Sequence, residues 1–180
     1  MFCSSKCPIR NNPVIKLSGK VLEFVENFKY LGHIISSDMK DDHDIRNQNK
    51  KLCARGNMIA RKFKSCSAEV KCLMFKTFCY NIYGAALWSS YSVAVMDRLR
   101  INYNNILRRL NNVPPWNSAS QLFVSLGLRG FREQRRAWAY SLSQRLIRSP
   151  NSLVQCLVHS DARANSTLWQ HWHALLHTPQ

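Results

Sequence analysis

Two adjacent carboxylates, Asp41 and Asp42, are the first side chains whose type and spacing suggest chemistry. Paired carboxylates hold the divalent metal ions of phosphoryl-transfer enzymes. Here, however, they follow no strand and open an amphipathic helical run. Acidic side chains in a first helical turn cap free N–H groups and complement the helix dipole. We therefore expect a structural role for the pair and assign no catalytic residue.

A second group of side chains has the chemistry of zinc ligands. Cys156 and His159 are followed by His171, His173 and His177. Their spacing matches no zinc motif that we can support, and residues two apart on a helix point in different directions. We expect no metal and no cofactor. Cys3 and Cys7 are better interpreted as part of a strand than as half of a metal site.

The charge distribution is the strongest compositional signal. The 180 residues carry 26 Lys+Arg and 10 Asp+Glu, a formal net charge of +16. The first 45 residues are neutral, with six bases and six acids, so residues 46–180 hold all of the excess. A basic body of this kind favours nucleic acid as the partner. A solvated charged face is the alternative interpretation, but such faces usually mix both signs.

Cysteine usage and hydropathy indicate the compartment. Seven irregularly spaced cysteines follow no signal peptide, which favours reduced thiols in an intracellular protein and leaves nucleus or cytoplasm open. The most apolar window, Phe78 to Trp88, is about half the length of a membrane span. We expect no transmembrane segment and no membrane partner.

The predicted secondary structure changes from strands to helices near residue 38. Val14–Leu17 and Val21–Val25 flank Ser18-Gly19-Lys20 and predict a β-hairpin. Phe28–Ile35 predicts one further strand, with Gly32 as a bulge or a point of close approach.

The remaining pattern is helical. We predict helices over the following segments: about 41–64, 68–88, 92–111, 118–126, 131–148, 152–159 and 166–177. The second is apolar on nearly all sides beyond Leu73 and is expected to be a buried central helix containing Phe78. Gly56 weakens the first helix, so close packing is expected there. Five aromatic residues are expected mostly in the core: Tyr80, Tyr83, Trp88, Trp116 and Trp138.

Two passages resemble a known family. One is Val25-Glu26-Asn27-Phe28-Lys29-Tyr30-Leu31-Gly32-His33-Ile34-Ile35, followed by Asp44-Ile45-Arg46. The other is Lys71 through Trp88, with Lys76, Phe78, Tyr83-Gly84 and Leu87-Trp88. Their order and spacing resemble the primer-grip strand and thumb of LINE-type non-LTR retrotransposon reverse transcriptases. More weakly, Met1–Cys7 resembles the end of the last palm strand, and residues 118–160 resemble the region beyond the thumb.

The resemblance implies specific roles. Tyr30, Leu31, Gly32 and His33 would contact the primer, in the manner of a primer grip. Phosphates would be bound by basic residues on the first and third predicted helices, namely Lys50, Lys51, Arg55, Arg61, Lys62, Arg108 and Arg109. The family's Tyr/Phe-Ala-Asp-Asp box, which binds Mg²⁺ in the parent enzyme, would lie ahead of this region. We therefore expect no polymerase activity from this chain alone.

The sequence thus predicts an α+β, predominantly helical fold in three parts. Residues 1–38 would form a palm-end and primer-grip β unit, 39–113 a thumb-like helical bundle, and 114–180 a looser post-thumb helical extension. The predicted function is a truncated RNA-directed DNA polymerase fragment that grips an RNA–DNA or DNA duplex regardless of sequence. A palm or fingers fragment is a further candidate partner. The alternatives are a protein-interaction or structural remnant, and a translated fragment of a decayed element without function.

Overall fold

The computed structural model describes residues 14–177, so the Cys3–Cys7 strand prediction lies outside the described residues. Two small β-hairpins precede a predominantly helical body, which confirms the α+β class. The strands are β1 (Lys16–Leu17), β2 (Lys20–Val21), β3 (Asn27–Tyr30) and β4 (His33–Ser36). The helices are α1 (Asp42–Lys62), α2 (Ala68–Phe78), α3 (Val93–Leu110), α4 (Ala119–Ser125), α5 (Phe131–Ile147), α6 (Ser152–His159), α7 (Ala162–Asn165) and α8 (Thr167–His177).

The predicted single strand over residues 28–35 is wrong, because the chain reverses in its middle. β3 and β4 pair antiparallel, with Tyr30 opposite His33. The two linking residues, Leu31 and Gly32, both have positive φ, at 45° and 86°. Two consecutive left-handed residues form the tight turn whose twist matches paired strands. Gly32 therefore enables a turn, where the sequence had suggested a bulge or a point of close approach.

The helical core forms around α1 and α3, which run in the same direction. Hydrogen bonds link Asp42 to Ser92 near their beginnings and Asn57 to Arg109 near their ends. Between these points a Cβ on Gly56 would lie 2.7 Å from Cγ1 of Ile106, which confirms the predicted close packing. The fully buried members of this core include Ile45, Leu52, Ile59, Leu99 and Leu107.

The prediction of one long second helix is wrong. α2 ends at Phe78, and the apolar stretch after it, whose buried residues include Ile82 and Trp88, is mostly loop with a short 3₁₀ helix at Ala85–Leu87. Gly84 at φ 72° is left-handed and starts that turn. Phe78 is 41% exposed, whereas Phe75, one turn earlier, is fully buried. An apolar run indicates burial but does not by itself indicate a helix. Irregular backbone can also be buried when its N–H and C=O groups are hydrogen-bonded.

The C-terminal extension packs more tightly than the sequence indicated. Phe123 of α4 stacks on Tyr103 with ring centroids 5.7 Å apart, so one hydrophobic core continues from α3 into α4. Trp172 of α8 is 1% exposed, and its indole N–H donates to the carbonyl of Ala86 at 2.7 Å. α8 is thereby held against the 3₁₀ helix.

Candidate nucleic-acid interface

Asp44 lies at the centre of the region where the two family-like passages meet. It is 2% exposed on the first turn of α1. One carboxylate oxygen accepts from the Trp88 indole N–H at 2.8 Å and contacts Nδ1 of His33 at 2.7 Å. The other accepts from the backbone N–H of Ile34 at 3.1 Å. A single buried carboxylate thus joins the β3–β4 hairpin, α1 and the loop before α3.

Two further residues pack against the His33 ring, Tyr83 and Gly84. It stacks on Tyr83 with centroids 4.8 Å apart. A Cβ on Gly84 would lie 1.7 Å from Cε1 of His33, so only glycine allows the ring to occupy this position. Because an ionised carboxylate only accepts hydrogen bonds, the bond to Asp44 selects the tautomer with the proton on Nδ1. We call Asp44 and the residues in contact around it the Asp44 cluster: His33, Ile34, Asp44, Tyr83, Gly84 and Trp88.

The primer-grip-like residues differ in their exposure and in their contacts. Leu31 is 72% exposed at the hairpin tip and Tyr30 is also exposed, so both can meet a ligand. The side chain of His33 is bound to Asp44 and Tyr83, which gives it an anchoring position. Tyr30, Leu31 and His33 also line a cleft of about 410 Å³ between the hairpin, the start of α1 and the 83–88 loop.

The neighbouring carboxylates are engaged with backbone. Asp41 accepts from the N–H groups of Ser89 and Ser90, each at 2.8 Å, and Asp42 accepts from Ser92 at 2.8 Å. Burial raises the pKa of Asp41, against the opposing effect of these two N–H donors. Asp41 is the N-cap residue of α1 and Asp42 lies in its first turn, which confirms the predicted position, but the Asp41 side chain forms no capping hydrogen bond and binds the loop before α3 instead.

The basic residues of α1 divide into two sets. At about 100° per residue, Lys51, Arg55 and Lys62 fall within about 40° of one another, while Lys50 and Arg61 lie about 80° or more away. Nζ of Lys51 donates to the Gly32 carbonyl at 3.4 Å, which places the first set beside the hairpin turn. We call Lys51, Arg55 and Lys62 the basic edge.

Arg108 and Arg109 lie at the end of α3, beside the end of α1. Arg109 donates to the Asn57 side chain, and Nε of Arg108 donates to the Asn117 carbonyl at 3.1 Å. Bases in a last helical turn also complement the helix dipole, which gives Arg61, Lys62, Arg108 and Arg109 an alternative structural role. Asp42 on α1 and Asp97 on α3 pair with other bases, Arg46 and Arg100 respectively.

The C-terminal histidines do not form a ligand cluster. His171 contacts Tyr91 at 3.1 Å, His159 contacts Gln155 at 2.9 Å, and His173 packs against His177. Burial, together with the nearby Arg135 guanidinium, lowers the pKa of His171. Across residues 14–177 no group of three or more His, Cys, Asp or Glu side chains could hold a metal ion. Nor does this part of the chain contain a helix with the length and hydropathy to cross a membrane.

Sequence reasoning missed two features of this surface. Asp44 was quoted within a motif, but its three partners lie 10, 11 and 44 residues away. Trp116 and Tyr83 were predicted to be core, whereas they are 84% and 59% exposed. The Pro114-Pro115 pair before Trp116 was the available signal, because it indicates a surface turn.

In comparisons with known proteins, no family model, no curated protein and no solved structure matches the chain.

Proposed function

We propose that this chain is a reverse-transcriptase-derived fragment of the LINE-type non-LTR class that grips nucleic-acid duplexes without sequence preference. The observation that carries the proposal is the Asp44 cluster. Residues from two family-like passages meet in one hydrogen-bond network, in which Asp44 and Trp88 lie 44 residues apart in the sequence. Such a meeting is expected if both passages belong to one grip-and-thumb unit.

The surface around this cluster has the properties that duplex binding requires. The basic edge begins beside the hairpin turn and covers 12 residues of α1, Lys51–Lys62, or about 16 Å at 1.5 Å per residue step. That length corresponds to about five base-pair steps of 3.4 Å. Phosphate contacts position a protein on a duplex and carry no sequence information. An exposed tip at Tyr30 and Leu31 would then meet the end of the strand that this edge holds.

The salt dependence of binding tests the proposal. Three phosphates neutralised by the basic edge predict a slope of about −2.7 in log K against log salt for B-DNA. Reversing Lys51 and Lys62 to glutamate should weaken binding to every duplex alike and bring the slope to about −0.9 or flatter. Fluorescence anisotropy with labelled duplexes of unrelated sequence, at several salt concentrations, measures both quantities.

A matched control separates local contact from net charge. Arg145→Glu with Arg148→Glu changes the total charge by the same amount on the exposed end of α5 and should leave the slope near the parent's. Melting temperatures of both double variants should stay close to the parent's, because exposed charges contribute little to stability. Equal losses of affinity in the two variants, or a parent slope near zero, would contradict a phosphate grip along α1.

A protein-docking role is the second candidate, and the β unit is the observation in its favour. Several apolar side chains between residues 14 and 35 are exposed, among them Val14, Leu17, Val21, Phe28 and Leu31. Contiguous exposed apolar surface is typical of a protein interface. A palm or fingers fragment is the partner that the resemblance suggests. If protein docking is the sole role, duplex binding should be weak even at low salt, and the charge reversals should leave it unchanged.

A further inference from the structure

Trp116 differs from the other tryptophans of the chain. Trp88 and Trp172 are buried, Trp138 and Trp169 are half-buried, and Trp116 is 84% exposed. Single exposed apolar residues are common and need no explanation on their own. The distinguishing features here are the rigidity of the backbone that presents the indole and the charges around it.

The turn that carries Trp116 is held from both sides. Pro114 and Pro115 restrict the backbone before it. The Asn117 N–H closes the turn onto the Pro114 carbonyl at 3.1 Å, and the Arg108 guanidinium holds the Asn117 carbonyl at 3.1 Å. An aromatic ring on a backbone that is already ordered loses little further entropy on binding.

The charge at this end of the molecule has one sign. Since α1 and α3 run in the same direction, the Trp116 turn follows the end of the bundle where both helices finish. Their last turns contain Arg61 and Lys62 on α1, and Arg108 and Arg109 on α3. Neither last turn contains an acid. A flat exposed aromatic in a basic setting is the arrangement by which proteins hold unpaired nucleotides, with stacking on the base and cations at the backbone.

We propose that Trp116 stacks on an unpaired base of a nucleic-acid strand, forming a single-strand site at the end of the bundle opposite the β3–β4 hairpin. This inference rests on the proposed nucleic-acid grip and adds a second ligand class to it. From Lys51, beside the hairpin turn, to the end of α1 at Lys62 is about 16 Å. A duplex held at the hairpin would reach this end after about five base-pair steps, and a single-stranded extension of it would meet Trp116.

The experiment compares a blunt DNA duplex with the same duplex carrying a single-stranded thymidine tail, each titrated with the full chain. The parent should bind the tailed duplex more tightly. Trp116→Leu keeps an apolar side chain but removes the ring, and it should lose that advantage while binding the blunt duplex as the parent does. Stacking of about 1–3 kcal/mol per base corresponds to about a 5- to 150-fold loss at 1.4 kcal/mol per tenfold.

Two further variants sharpen the test. Trp116→Tyr retains a stacking ring and should recover part of the lost affinity, whereas a merely apolar role would favour leucine. Tyr140→Leu, which removes an exposed ring from α5, should behave as the parent does. Thermal melts should be unchanged in all three, because each side chain is exposed.

The outcomes distinguish this inference from the proposed function. Salt-dependent binding of the blunt duplex with no gain from the tail, or a gain that survives in Trp116→Leu, overturns the single-strand site and leaves the duplex grip. If the parent binds the tailed duplex but not the blunt duplex, and Trp116→Leu loses that binding, the single-strand site is supported and the duplex grip is overturned. Failure of the parent to bind either probe at low salt overturns both.

Discussion

Asp44→Ala should destabilise the protein strongly, because this carboxylate is the acceptor for three groups. The Trp88 indole N–H would lose its partner in a buried position and the Ile34 backbone N–H in a partly buried one, whereas His33 retains some access to water. An unsatisfied buried donor costs about 1–3 kcal/mol. With a smaller cost at Ile34, the expected loss in the free energy of unfolding is about 2–4 kcal/mol.

Asp44→Asn should fall between the parent and Asp44→Ala. An asparagine oxygen in place of the carboxylate oxygen that faces Trp88 retains that hydrogen bond, while the amide nitrogen cannot accept from Ile34. We expect a loss of about 1–3 kcal/mol, the cost of one unsatisfied donor. The order of stability, parent above Asn above Ala, follows from the number of acceptors kept.

Urea denaturation followed by far-UV circular dichroism measures these differences. With a slope of about 2 kcal/mol per molar urea, a loss of about 4 kcal/mol lowers the midpoint by about 2 M. Asp97→Ala is the control, because Asp97 forms only a surface pair with Arg100, 3.1 Å away, and should shift the midpoint little. An Asp44→Ala midpoint equal to that of the control would show that the hairpin, α1 and Trp88 are not held by this carboxylate.

Other consequences can be measured on the same protein. Phe75→Asp should abolish cooperative unfolding, because it places a charge in a fully buried site, while Phe78→Asp at a 41% exposed site should melt close to the parent. Equal effects of the two substitutions would instead favour the long second helix, in which Phe78 is buried. The pKa of His171 is lowered in the folded state, so the unfolded chain binds the proton first, and stability should decline as pH falls below about 6.5. His171→Gln should reduce that decline in stability. Thermal melts of the parent and the variant above and below this pH measure it, and an equal decline in both would contradict the assignment to His171. Primer-extension assays with Mg²⁺ or Mn²⁺ should show no nucleotide incorporation above a mock preparation, because Asp41, Asp42 and Asp44 are all bound to other groups.

The positions of most helices could be predicted from the sequence because their signals are local. The apolar spacing of Ile45, Leu52 and Ile59 identified α1, and Pro114-Pro115 marked the end of the segment containing α3. Gly56 indicated close packing because glycine in a helix is unfavourable without such a reason. The separation between a neutral β unit and a basic helical body likewise follows from composition alone.

The candidate site depended on contacts between distant parts of the chain. The 3₁₀ helix after α2 starts at the left-handed Gly84, whose missing side chain leaves space for His33, and no local pattern in the apolar run encodes that contact. The strand after the Leu31-Gly32 turn is held in place by the bonds of His33 and Ile34 to Asp44 on another element. The position of the basic edge beside the hairpin turn was decided by the contact of Lys51 with Gly32. Residue types and their spacing determined the helices and the charge, whereas hydrogen bonds and packing across 10 to 50 residues determined the site.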